Sequence, residues 1–214
     1  MPRPDDDAAM DTLQPFEGAA RAVEASIATV EDWDAPGLGE WSVAELVAHL
    51  IRAADRITHY LAQPVDGEVP VCDRVGYFRF DHRAAATGVA DRSRADAARI
   101  GTAALASTFT AAWTATSAAL RTEPADRIVA TFMGPMTLEE YSATRVLELV
   151  VHGLDLCRAL DVPERTDPTA LAMTERILRS LLEGDMPGGL AGAAFVMAAT
   201  GRDPHPDPRL PVLS

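Results

Sequence analysis

The run LELVVHGLDL, residues 147–156, places Glu148 and His152 four residues apart inside a segment otherwise composed for a core. Four residues is about one helical turn, so both side chains leave the same face. A buried carboxylate without a partner is costly and tends to neutralise itself. A divalent cation removes that cost. His49, within WSVAELVAHL at 41–50, offers a third donor from a different segment. Two donors one turn apart on one helix plus a histidine from a facing helix is how bundles build metal sites. Two histidines and a glutamate with an open fourth position form the ligand set of a catalytic zinc ion. Other readings of the same residues stand beside this one. An i, i+4 hydrogen bond explains the Glu–His pair, and a core-facing histidine can be a satisfied core residue.

The helices that must position these groups are legible in the periodicity. The spacing of Leu13, Phe16, Ala20, Val23, Ile27 and Val30 predicts a first helix over about 15–32. A second runs over about 43–62, with Ser42 and Glu45 as a capping box and Trp41 and Leu46 as its hydrophobic staple. An alanine-rich third is expected over 94–122, and a fourth over 138–160 behind a second capping box, Thr137 and Glu140. No strand is expected. With Glu148 at zero on the fourth helix, Tyr141, Arg145, His152, Asp155 and Ala159 fall within about 60°. Leucine and valine fill the rest of the circumference, the reverse of a surface helix, so this helix is expected to be buried on most sides. On the second helix Arg56 and Tyr60 lie within about 20° of His49.

Residues 64–90 form a connector long for a bundle, expected to be functional or mobile and a possible lid. After the fourth helix, Asp167-Pro168 opens a short helix closed by Gly184, and GLAGAAFVMAAT makes another closed by Gly201. The expected organisation is a flexible tail over 1–10, a four-helix bundle over 11–162, and a helical extension with a proline-rich tail over 163–214.

Composition narrows the function. The 214 residues carry a net charge of −13, which argues against nucleic acid because phosphate binding needs a basic face. All 19 basic residues are arginine, the side chain that grips carboxylates with two parallel hydrogen bonds. Coding bias explains the same count. No apolar run is long enough for a membrane span, and no signal peptide opens the chain. Cys72 and Cys157 lack CxxC spacing, which fits a reduced cytoplasmic protein. His59, His82 and His205 attract no site.

WSVAELVAHL at 41–50, GPMTLEEYSATRVLELVVHGLDLCRALD at 134–161 and the Gly-Arg of AATGRDP together resemble the mycothiol-dependent maleylpyruvate isomerase family. That family is an actinobacterial branch of the DinB-like four-helix metalloproteins. The resemblance implies an all-α, DinB-like four-helix bundle with a short helical C-terminal extension. It also implies metal binding, typically of zinc, by His49, Glu148 and His152. Mycothiol is the implied thiol cofactor, and the implied reaction is isomerisation or S-transfer on a small electrophile. Arg56 and Arg145 share a stripe with the ligands and Arg202 matches the terminal Gly-Arg; any of them could grip a substrate carboxylate. Tyr60 and Tyr141 could line the pocket, and Asp155 could orient a ligand. Ion pairs and core packing are the other readings of these residues. The open alternatives are a hydrolase using metal-bound water and a non-enzymatic stress-associated binding module. The expected partners are a low-molecular-weight thiol and a small electrophile, in a monomer or homodimer.

Overall fold

The computed structural model describes residues 12–65, 70, 72–79, 82–182 and 184–213. The tail expected over 1–10 lies outside the described residues. Among these residues seven α-helices and one hairpin follow in order: α1 (Leu13–Ile27), α2 (Val43–Leu61), α3 (His82–Ile100), α4 (Thr102–Thr122), β1 (Ile128–Thr131), β2 (Gly134–Thr137), α5 (Leu138–Ala159), α6 (Pro168–Leu181) and α7 (Gly192–Ala199). The bundle consists of α1, α2, α4 and α5. Helices α1 and α2 sit on opposite corners, each packed against both α4 and α5. Helix α3 covers α2 and α4, while α6 lies on α5 and α1 and carries α7 on its far side.

The α2 capping box forms in full: Glu45 N–H donates to Ser42 Oγ at 3.3 Å, and Ser42 N–H donates to Glu45 Oε2 at 3.0 Å. At α5 only half of the expected box forms. Glu140 N–H donates to Thr137 Oγ1 at 3.2 Å, but the Glu140 carboxylate turns to Arg74. It accepts from Arg74 N at 2.7 Å, Nε at 2.8 Å and Nη2 at 2.6 Å. A guanidinium in fork geometry is a stronger partner than one backbone N–H.

Four expectations are corrected. The first helix ends at Ile27, not near 32. The expected third helix is two, because Gly101 takes a left-handed φ of 77° that no helix can run through. The true α3 starts at His82, so much of the connector is helical, and Gly76–Phe78 adds a 3-10 turn. Finally, the segment before α5 forms an antiparallel hairpin, with Val129 paired to Met136 and both buried. Neither IVAT nor GPMT alternates apolar with polar residues, so the period-two signal of a strand is absent from both.

Helix α5 is buried along almost its whole length, as its inverted pattern predicts. At Gly153 α1 packs closely on α5: a Cβ there would stand 3.0 Å from Val23 Cγ2. The extension shares the bundle's core, with Met173, Ile177 and Phe195 in the same cluster as Leu50 and Leu147. Pro168 occupies the first turn of α6, and Asp167 caps it by accepting from Thr169 N at 2.9 Å and Ala170 N at 3.1 Å.

Candidate metal centre

The α2–α5 contact brings His49, Glu148 and His152 together. Glu148 Oε2 lies 3.4 Å from His49 Nε2 and 3.4 Å from His152 Nε2. The two imidazoles meet edge to face with centroids 4.6 Å apart. One donor atom from each residue falls within 4.8 Å of the others, so the three could hold one metal ion. Their side chains are 13%, 21% and 14% exposed, so the cluster is not sealed from solvent.

The two histidines are held differently. His152 Nδ1 lies 3.0 Å from Asp155 Oδ2. Arg202 in turn grips Asp155, with Nη2 2.9 Å from Oδ2 and Nε 3.1 Å from Oδ1, while its Nη1 donates to Thr200 O at 2.8 Å. A carboxylate on Nδ1 fixes the tautomer and leaves the Nε2 lone pair facing inward, the usual second partner of a metal-ligating histidine. His49 Nδ1 has no partner among the described residues. The Trp41 ring, 5.2 Å away, steadies His49 by packing alone.

The electrostatics follow from these contacts. Burial works to raise the Glu148 pKa, but hydrogen bonds with both histidines and the charge of Arg145 hold it well below the usual 4.5. Burial depresses His49 below 6.5, helped by the charge of His152. Burial also opposes the charge on His152, yet Asp155 and Glu148 outweigh it and raise the pKa above 6.5. Burial opposes ionisation of Asp155 too, but His152 and Arg202 bring it down to about 2. Glu17 shows how this fold satisfies another buried carboxylate. Its hydrogen bond from Ser117 and the charge of Arg121 lower its pKa, with no histidine involved.

A prediction follows for metal uptake. Below the raised pKa of His152 a proton occupies the nitrogen a metal needs. Metal affinity should therefore weaken by about tenfold per pH unit as pH falls through that pKa, with one proton released per ion bound. Competition against a chelating dye between about pH 6 and 8 measures it. A flat profile would show that His152 is not a ligand.

The other site candidates separate clearly. Arg56 is engaged by Asp55, with Nε 2.8 Å from Oδ1. Arg202 is engaged by Asp155. Arg145 is buried, its Nε donates to Thr144 Oγ1 at 3.1 Å, and its guanidinium carbon lies 4.9 Å from the Tyr141 ring centre and 5.3 Å from that of Tyr77. Tyr60 packs edge-on against Tyr141 at 5.3 Å. Burial pushes the Tyr77 and Tyr141 phenols up, beyond what the charge of Arg145 offsets.

Tyr77 is the site neighbour that sequence reasoning missed. It sits in the 3-10 turn of the connector, which Arg74 fastens to α5 through Glu140. Its only sequence signal is an aromatic cluster, GYFRF, inside an otherwise polar connector. Cys157 is buried, with Sγ 3.2 Å from Ser26 Oγ on α1.

Residues 13–157 match the family model of the mycothiol maleylpyruvate isomerase N-terminal domain. The chain belongs to that family. The match ends two residues after Asp155, so it takes in the three clustered residues, Arg145 and the connector. The architecture is the all-α, DinB-like bundle of the family, extended by α6 and α7. Neither curated proteins nor solved structures gave a match. No helix among the described residues is long and apolar enough to cross a membrane.

Proposed function

We propose that this member of the mycothiol maleylpyruvate isomerase family is a metal- and mycothiol-dependent enzyme, an isomerase or S-transferase acting on a small electrophile. The observation that carries the reading is the convergence of His49 Nε2, His152 Nε2 and Glu148 Oε2 on one partly open point. The residues fit a divalent ion such as zinc. Two imidazole nitrogens and a carboxylate oxygen face each other at the distances above, and Asp155 holds His152 in the tautomer a metal requires. A bound ion of this kind supplies Lewis acidity that favours thiolate over thiol at neutral pH. The chain's own groups do the rest. Glu148 stays ionised, Asp155 and Arg202 fix the His152 ring, and Arg145 keeps a positive charge beside the cluster. Tyr60, Tyr77 and Tyr141 wall the Arg145 side and restrict water. Both cysteines are free, in keeping with a reducing, cytoplasmic setting.

The test is spectroscopic. Cobalt-loaded protein titrated with mycothiol should develop a thiolate-to-cobalt charge-transfer band and release protons, since thiolate is the ligand form. An unchanged spectrum with mycothiol and other small thiols sinks the thiol reading and moves metal-bound water, or a pure binding role, ahead of it.

A further inference from the structure

The tip of the hairpin carries a phenylalanine that its turn does not require. Residues joining two strands in a tight turn are usually small and polar. Between β1 and β2 stand Phe132 and Met133. The turn is closed by Thr131, whose Oγ1 donates to Gly134 O at 2.7 Å and accepts from Met133 N at 3.1 Å. That closure makes no use of the Phe132 ring, and the residue is 60% exposed. The other exposed large hydrophobic residue among those described, Val65, reaches 37%. The Phe132 ring stands edge-on to Tyr77, with centroids 5.8 Å apart. Tyr77 meets Tyr141 at 6.0 Å, and Tyr141 meets Tyr60 at 5.3 Å. The rings thus form one chain drawn from the hairpin, the connector turn, α5 and α2. Tyr77 and Tyr141 are buried in its middle, while Phe132 is exposed and Tyr60 half-buried at its ends.

The chain of rings leads toward the metal centre. Tyr141 shares a face of α5 with Glu148 and His152, and the helix from Tyr141 to Glu148 spans about 10 Å. Tyr77 is held at the same end of the site because Arg74 ties its turn to Glu140. We infer that Phe132, Tyr77 and Tyr60 form an apolar arm of the site, which takes an aromatic or branched alkyl group of the electrophile. This deepens the proposed function and rests on its metal centre, not on the thiol. An apolar group laid against Phe132 removes ring surface from water, which is favourable for both partners. A polar group there would give up its own water and gain no hydrogen bond from that ring. Substrates are therefore electrophiles whose apolar group lies about 10 Å from the metal-bound end. Phe132 and Tyr77 stand on a hairpin tip and a connector turn, outside the helix pair that carries the ligands, so they set the choice of substrate without building the metal centre.

Hydroxamates, which chelate zinc through two oxygens, test this on the full zinc-loaded chain. Acetohydroxamate probes the metal alone. A hydroxamate ending in a phenyl ring on a five-carbon chain reaches the arm as well, and the same chain ending in a hydroxyl is its control. In calorimetry the phenyl compound should bind wild type about 10- to 100-fold more tightly than the hydroxyl compound, as expected for burying a large apolar group. Phe132→Ala should cut that preference by about 3- to 10-fold, the worth of one aromatic pair, and Tyr77→Leu should also reduce it. Phe132→Ala should fold and keep its zinc, because the ring is exposed and Thr131 closes the turn. Equal affinity for the phenyl and hydroxyl compounds overturns the inference and leaves the metal centre standing. So does a phenyl preference that Phe132→Ala leaves intact. Wild type that sediments as a dimer and Phe132→Ala as a monomer, with the preference unchanged, would mean that a second copy of the chain covers the tip, and also overturns it. Acetohydroxamate that fails to bind the zinc-loaded wild type removes the metal centre and this inference with it. The cobalt–mycothiol band is a separate readout. A protein that prefers the phenyl compound through Phe132 and shows no band keeps this inference and loses the thiol reading.

Discussion

Replacing His152 with alanine is expected to abolish metal binding, and with it any metal-dependent activity, while the bundle still folds. The substitution leaves two donors, His49 and Glu148, where three converge now. The loss should exceed the roughly 10- to 100-fold that removing an outer partner of a ligand produces. Folding should survive because the packing does not run through the imidazole. Helix α5 is anchored by Leu147, Leu149, Val150, Val151 and Leu154, all buried against α1, α2 and α6. Asp155 also keeps Arg202 as its partner when the imidazole is gone. Metal analysis of purified protein, beside circular dichroism, decides the matter. Equal zinc in variant and wild type would end the assignment of His152 as a ligand.

Asp155→Ala should damage both metal binding and the fold. The carboxylate is 2% exposed and joins His152 on α5 to Arg202 beyond α7. Removing it frees the tautomer of His152 and should cost about 10- to 100-fold in metal affinity. It also strands the Arg202 guanidinium, whose side chain is only 19% exposed. Breaking a buried ion pair from one side costs about 3–5 kcal/mol, and the partial exposure of Arg202 places this case at the low end. Its pH signature can be worked out for the metal-free protein. The Asp155 pKa is depressed in the fold, from 3.8 to about 2. Its contribution is therefore present above about pH 4 and lost as pH falls from there toward 2, a difference on the order of 2 kcal/mol. Urea unfolding at neutral pH and near pH 3 should show wild type losing stability that the variant never had. Wild-type stability in Asp155→Ala at neutral pH would refute the clamp. Combining it with Arg202→Met should recover part of the loss, because the stranded charge goes with it.

How much of this was open to sequence reading depends on how far apart the partners lie along the chain. The amphipathic stripes and the Ser42–Glu45 box identified α2, and the inverted stripe of α5 placed Glu148, His152, Arg145 and Asp155 on one line. These are consequences of helical geometry, where residue number alone sets direction. The triad itself needed a facing helix, and the inward stripe of α2 was enough to nominate His49. Elsewhere tertiary packing decided. Gly101 splits an alanine-rich run; the glycine is a weak stop signal in the sequence, and only its left-handed backbone angle makes the break. Glu140 leaves its own capping box for Arg74, 66 residues away, since a charged fork outcompetes a local N–H. Along the chain Arg56, Arg145 and Arg202 all stood as candidates to grip a carboxylate, with ion pairing to Asp55 or Asp155 the other reading. Folding gave Arg56 to Asp55 and Arg202 to Asp155, and left Arg145 between two tyrosines, one of them from a connector with no periodicity to read. Which charge meets which partner depends on distances between elements. Those distances come from the packing of whole helices, and no local pattern encodes them.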